Sequence, residues 1–198
     1  RRNFIKKSAL GTLGVSSILS CDETNSANIK KTYPRIISTW NHGLEANQKA
    51  WESLKNGNGG LSAVEQGVMV SEADPKIRSV GYGGYPDRDG IVTLDACIMD
   101  KNSNCGSVSF LQNIKHPISV ARHVMEDTPH VMLSGKGALD FAVSKGFKQE
   151  DLLTDESRKA WLKWKENSNY KPVINIENHD TISMLLIDEN GDLFGACT

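Results

Sequence analysis

The sequence predicts an α+β fold in which layered sheets are covered by helices. Short apolar strands alternate with stretches of helical periodicity, two strand pairs are joined by turns that make hairpins, and no internal repeat is visible.

"RIIST" is a short apolar strand. Residues 41–54 carry Leu44, Asn47, Trp51 and Leu54 at helical spacing and stop at Gly57, Gly59 and Gly60. Ser62 and Glu65 have capping-box spacing, which predicts a second helix from there to about Ala73, ended by Pro75. A loop rich in glycine and aspartate, "DPKIRSVGYGGYPDRDG", leads to a hairpin of "IVTLDACIMD" and "CGSVSFLQ" around "KNSN". Pro117 opens a helix to about Glu126. "HVMLS" reads as a strand and "GALDFAVSKG" as a helix with its terminal glycine. Thr154 to Lys165 is a polar helix showing Trp161 and Trp164 on one side. "TISMLLID", "ENG" and "DLFGACT" make the second hairpin.

The chain's 198 residues, 38% hydrophobic and 24% charged, suit one globular domain with a substantial core. A formal net charge of −1 with interspersed signs carries no nucleic-acid footprint, so a nucleic-acid partner is set aside. Residues 1–21 have the layout of an export signal: Arg1, Arg2, Lys6 and Lys7, a small apolar stretch, then Cys21. The paired arginines are twin-arginine-like and Ser20–Cys21 resembles a lipoprotein site. The expectation is a periplasmic protein or a lipoprotein anchored at Cys21, with the stretch too short to span a bilayer. Residues 22–33 read as a polar tether. An initiator Met is missing, so further sequence is expected at this end.

Export would allow disulfides among Cys97, Cys105 and Cys197. If the first hairpin pairs Asp100 with Cys105, Cys97 faces Val108 and the two sulfurs start roughly 10 Å apart, beyond disulfide reach. Buried thiols or strand packing are expected instead. The glycine loop lacks P-loop spacing. "PDRDG" lacks the ends of a calcium loop, since Tyr85 and Ala96 stand at ligand positions. A structural or substrate-lining loop is expected. His42, His116, His123, His130 and His179 have no metal-ligand spacing, so no metal site is expected and the histidines read as surface residues.

The remaining candidate is His179–Asp180–Thr181 at the start of the last hairpin. Taken alone, it reads as a loop Asp and a strand-favouring Thr. It also fits specific chemistry. A threonine hydroxyl is a weak nucleophile without a base, and its own α-amine, which titrates at about 8, supplies one if the threonine is first in its chain. If the backbone at Asp180 is held under strain, Thr181 Oγ attacking the Asp180 carbonyl would exchange amide for ester, and water would then free that amine. The Asp180 carboxylate is placed to take the hydroxyl proton, with His179 positioning it.

"STWNHGLEANQKAW", "SVGYGGYPDRDGIVTLDACIMD", "HPISVARHVMEDTPHVML" and "NIENHDTISM" through "GACT" resemble the glycosylasparaginases (aspartylglucosaminidases) of the N-terminal nucleophile hydrolase superfamily. The resemblance runs from about Tyr33 to Thr198. It implies an αββα four-layer sandwich made as a precursor and cut before Thr181. Residues 34–180 would belong to the α chain and 181–198 would start the β chain. It implies Thr181 as autocleavage and catalytic nucleophile, Asp180 as the autocleavage assistant, and Trp40 and Ser79 in the substrate pocket. Without it, Trp40 reads as core packing. The implied reaction is hydrolysis of the amide between asparagine and N-acetylglucosamine, without cofactor. The expected partners are glycosylasparagine, the enzyme's own α and β chains, and a second αβ unit in a dimer.

Two other functions remain open. One is an asparaginase or isoaspartyl peptidase, a branch that places Gly before its threonine, whereas Asp180 and Trp40 favour the glycosylasparaginase branch. The other is a non-catalytic exported binding protein. The family's chains continue beyond "GACT" with a further threonine, an arginine, an aspartate and oxyanion donors. The expectation is therefore a C-terminally truncated chain, inactive by itself.

Overall fold

The computed structural model describes residues 33–168 and 181–198. The export segment, the tether apart from Tyr33, and His179 and Asp180 lie outside the described residues. The elements run in the order β1 (Arg35–Ser38), α1 (Gly43–Lys55), α2 (Gly59–Ala73), β2 (Leu94–Met99), β3 (Cys105–Leu111), α3 (Pro117–Asp127), β4 (Met132–Ser134), α4 (Gly135–Ser144), α5 (Asp155–Asn167), β5 (Ser183–Ile187) and β6 (Leu193–Cys197).

The strands form one six-stranded sheet in the order β1-β5-β6-β2-β3-β4. All pairings are antiparallel except the parallel β3–β4 edge. The sheet is thus mixed and the fold α+β.

Period-two alternation decides which residues enter the core. Ile36, Leu186, Met184, Ala196, Ile98, Val108 and Leu133 follow one another across the register on a single face. Against that face α1 and α2 bring Ala46, Ala50, Ala63, Val64 and Val68, and α3 brings Ile118, Ala121 and Val124. Burying a chain such as Leu186 or Ile98 is worth roughly 1.5–3 kcal/mol. The other face carries Ile37, Leu185, Leu193 and Met99, all exposed.

Three expectations need correction. The first concerns Ser62 and Glu65, which do not cap α2. The helix starts earlier, at Gly59, with Asn58 preceding it. Both side chains instead meet Arg122 of α3: Nη1 donates to Ser62 Oγ at 3.0 Å and to Glu65 Oε2 at 2.7 Å.

The second correction is the register of the first hairpin, which is one residue off near its turn: Met99 opposes Cys105 and Cys97 opposes Ser107. The Asp100 carboxylate is the cause. It accepts from the backbone N–H groups of Asn102 and Asn104, folding the turn so that Asp100 itself pairs with Asn104. A bulge restores the expected register at Leu94–Leu111. There Phe110 adopts φ 52° and donates its N–H to Asp95 Oδ1.

The third is burial: Cys97 and Cys105 are exposed on the open face. Conversely, His116 and His42 are half-buried, with Nδ1 of each bonded to Glu72 and Ser71 respectively.

Candidate active site

Thr181 stands two residues ahead of β5, where that strand pairs with β1. The pairing extends past the strand ends: Thr39 N–H donates to the Ser183 carbonyl at 3.0 Å, and Ser183 N–H donates to Thr39 Oγ1 at 3.0 Å. Two side chains then clamp the Thr181 carbonyl oxygen. Thr39 Oγ1 donates to it at 3.0 Å and the Trp40 indole Nε1 at 3.1 Å.

Trp40 makes the corner between β1 and α1. Its φ of 64° puts a bulky residue in the left-handed region, a strain of order 1–3 kcal/mol found where surrounding structure enforces it. The Gly43 N–H donating to the Trp40 carbonyl closes the corner. Trp40 is 56% exposed, so it is not core packing. Thr181 is exposed beside it.

A buried polar cluster lies behind this edge. Ile182 and Thr198 exchange backbone hydrogen bonds of 2.9 Å, and the Thr198 hydroxyl donates to Glu72 Oε1 at 2.8 Å. Glu72 is fully buried at the end of α2. It also accepts from the Ile118 N–H at 3.1 Å, and its Oε2 lies 3.0 Å from His116 Nδ1. Burial pushes its pKa up, against the opposing pull of His116, Thr198 and Ile118. Gly81 is packed on the same residue, so close that an added Cβ would lie 2.2 Å from the Glu72 carbonyl oxygen, and its φ is +59°.

Of the residues the sequence singles out, the structure brings Trp40 and Thr181 into contact. Ser79 sits half-buried on the loop between α2 and β2, and among the described residues no hydrogen bond joins it to either. His179 and Asp180 lie outside the described residues. Among the described residues no cluster of three or more His, Cys, Asp or Glu could hold a metal ion. Sequence reasoning missed Thr39, Glu72, His116 and Thr198. A signal existed for Glu72, which falls on the apolar stripe of Val64 and Val68 at four-residue steps. Thr39 gives none, because a threonine ending a strand is ordinary.

The two bonds hold the peptide plane between Thr181 and Ile182 against the corner after β1.

The profile of a family described as asparaginase matches residues 26–198. The N(4)-(beta-N-acetylglucosaminyl)-L-asparaginase of Elizabethkingia miricola is 56% identical over 205 residues, covering 100% of this chain and 59% of its own. The Rattus norvegicus protein of the same name is 36% identical over 189 residues, covering 80% of this chain and 54% of its own. The chain spans little more than half the length of these curated relatives. It belongs to the asparaginase family and, among the N-terminal nucleophile hydrolases, stands with the glycosylasparaginases that its motifs resemble.

Proposed function

We propose that this chain carries the nucleophile of a self-activating amidohydrolase that cleaves the bond between an asparagine side chain and N-acetylglucosamine. The names of the relatives support the substrate. The observation that carries the mechanism is the clamp of Thr39 and Trp40 on the Thr181 carbonyl oxygen.

Thr181 Oγ first attacks the Asp180 carbonyl carbon, assisted by Asp180 and His179, and hydrolysis of the resulting ester leaves Thr181 with a free α-amine. That amine then takes the Thr181 hydroxyl proton as the oxygen attacks the substrate amide carbon. The glycosylamine departs with a proton, and water hydrolyses the aspartyl ester. Trp40 and Ser79 line the substrate pocket.

The activity is assigned to the whole protein. In the αββα sandwich a second sheet would cover the open face bearing Ile37, Leu185 and Leu193, and, as a separate step, two αβ units would pair as a dimer. Residues 1–21 direct export, to the periplasm or to a membrane anchor at Cys21.

The test is the mass and N-terminal sequence of the purified whole protein. Two fragments, one beginning at Thr181, are expected, with Thr181→Ala remaining in one piece and glycosylasparagine hydrolysed faster than asparagine. An active protein with an uncut Asp180–Thr181 bond would overturn the mechanism.

A further inference from the structure

Three cysteines share the open face of the sheet, and two of them are neighbours. Cys97 of β2 and Cys197 of β6 are directly opposed across an antiparallel pair. Residues so opposed have Cα atoms about 4.5–5.5 Å apart and side chains on the same face, inside the span of about 4.4–6.8 Å that a disulfide bridges. Cys105 is excluded from this geometry. It opposes Met99, so it sits diagonally from Cys97 at about 7–8 Å.

We propose that Cys97 and Cys197 form a cross-strand disulfide. Where the chain is cut before Thr181, this bond joins the two fragments covalently, since Cys97 lies on one side of the cut and Cys197 on the other. That second consequence rests on the self-cleavage proposed above; the disulfide itself does not.

The chemistry is thiol–disulfide exchange with a small-molecule disulfide as oxidant, taking place during folding, before the second sheet of the proposed sandwich covers this face. The Cys197 thiolate attacks one sulfur of the oxidant and expels the other as a thiolate, leaving a mixed disulfide on Cys197. The Cys97 sulfur then attacks the Cys197 sulfur, and its proton goes to the second departing thiol. One disulfide is reduced to two thiols and two protein thiols are oxidised. The surroundings favour Cys197 as first attacker. The hydrogen bond from Cys97 lowers its pKa to about 6 and raises that of Cys97. The Ser183 hydroxyl, on the strand to the other side, also donates to Cys197 Sγ at 3.3 Å. A thiol with a pKa near ambient pH attacks fastest.

The experiment refolds the whole protein in a glutathione redox buffer, blocks remaining thiols in denaturant, and maps peptides without reduction. The expected result is a linked pair of peptides containing Cys97 and Cys197, retained in Cys105→Ser and lost in Cys97→Ser and Cys197→Ser. In protein cut before Thr181, the fragments should run together until reductant separates them. Recovery of both cysteines blocked, or linked to Cys105, overturns the proposal. A linked but uncut chain supports the disulfide and counts against self-cleavage, so the two failures are told apart.

Discussion

The Trp40 indole donates to the Thr181 carbonyl oxygen at 3.1 Å, across 141 residues of sequence. That one bond couples the strained corner after β1 to the residue whose hydroxyl is proposed to react. Trp40→Phe keeps an aromatic ring and removes the Nε1 donor along with one ring of the indole. Unfolding free energy should fall by about 1 kcal/mol, the net value of one such bond. The appearance of a Thr181 N-terminus should slow by a larger factor than stability alone accounts for. An unchanged processing rate in a pulse-chase experiment would dissociate Trp40 from the nucleophile.

Thr39 makes the stricter test because its hydroxyl both donates to the Thr181 oxygen and accepts from Ser183 N–H. Valine preserves its shape and β-branching while deleting both bonds and leaving the strand junction unsatisfied. The junction is exposed, so water can reach the freed groups, and Thr39→Val should cost about 0.5–1.5 kcal/mol, while Thr39→Ser should stay close to the parent. Thermal unfolding of the pair reads the difference directly, since both variants share the same backbone.

Gly81 and Gly57 both have positive φ but differ in what surrounds them. A Cβ at Gly81 would lie 2.2 Å from the Glu72 carbonyl oxygen, a backbone atom that the Tyr82 N–H already holds at 2.7 Å. At Gly57, with φ +79°, nothing lies within 4 Å. Gly57→Ala should therefore cost only the left-handed backbone strain, roughly 1–2 kcal/mol. Gly81→Ala must also displace the end of α2, so loss of soluble folded protein is expected. Similar melting temperatures for the two would show that the loop yields where the packing says it cannot.

These contrasts also mark what the sequence could and could not reveal. "IVTLDACIMD" made the strand β2 legible but not its buried face: Leu94, Ala96 and Ile98 turn inward, whereas Cys97, expected to be buried, turns outward. Pro117 likewise announced α3 by its fixed φ and missing N–H. Partner choice was hidden. That β1 pairs with β5, or that β4 adds in parallel to β3, depends on how distant apolar faces close over one core, and no local pattern encodes it. The Asp100 turn shifted the hairpin register through side-chain bonds that compete with simple pairing. The site divided in the same way. Thr181 stood out by its chemistry, whereas Thr39 and Thr198 acquire their importance only from residues brought to them by folding.

Arg122 and Glu65 offer a test of a half-buried ion pair. Arg122 reaches Glu65 at 2.7 Å and Glu126 at 2.9 Å, and Ser119 also donates to Glu65. Arg122→Met removes the cation and leaves Glu65 facing α3 without charge compensation, at an expected cost of about 1–3 kcal/mol. Adding Glu65→Met should recover much of that loss, because the stranded charge goes with it. A denaturant double-mutant cycle measures the coupling. Strictly additive losses would mean the pair is solvated well enough to be independent.

The pH dependence of stability should carry the mark of Glu72. Its folded pKa is raised above its ordinary value of 4.5 by burial, so the folded chain holds the proton more tightly than the unfolded one. Below 4.5 the group is protonated in both states, and its favourable contribution is fully present. As pH rises past 4.5 the unfolded carboxyl ionises first, and stability drains away until the pH exceeds the folded value. Glu72→Gln removes this titration while keeping an acceptor for Thr198 and Ile118. Its melting temperature relative to the parent should therefore improve as pH increases from about 4.5 toward neutrality. Glu72→Ala, by contrast, leaves the Ile118 N–H, the Thr198 hydroxyl and His116 without their partner, and should lose about 1–3 kcal/mol throughout. A difference between the Gln variant and the parent that stays flat across this range, or runs in the opposite direction, would show that His116 and Thr198 hold the buried carboxylate ionised despite its burial.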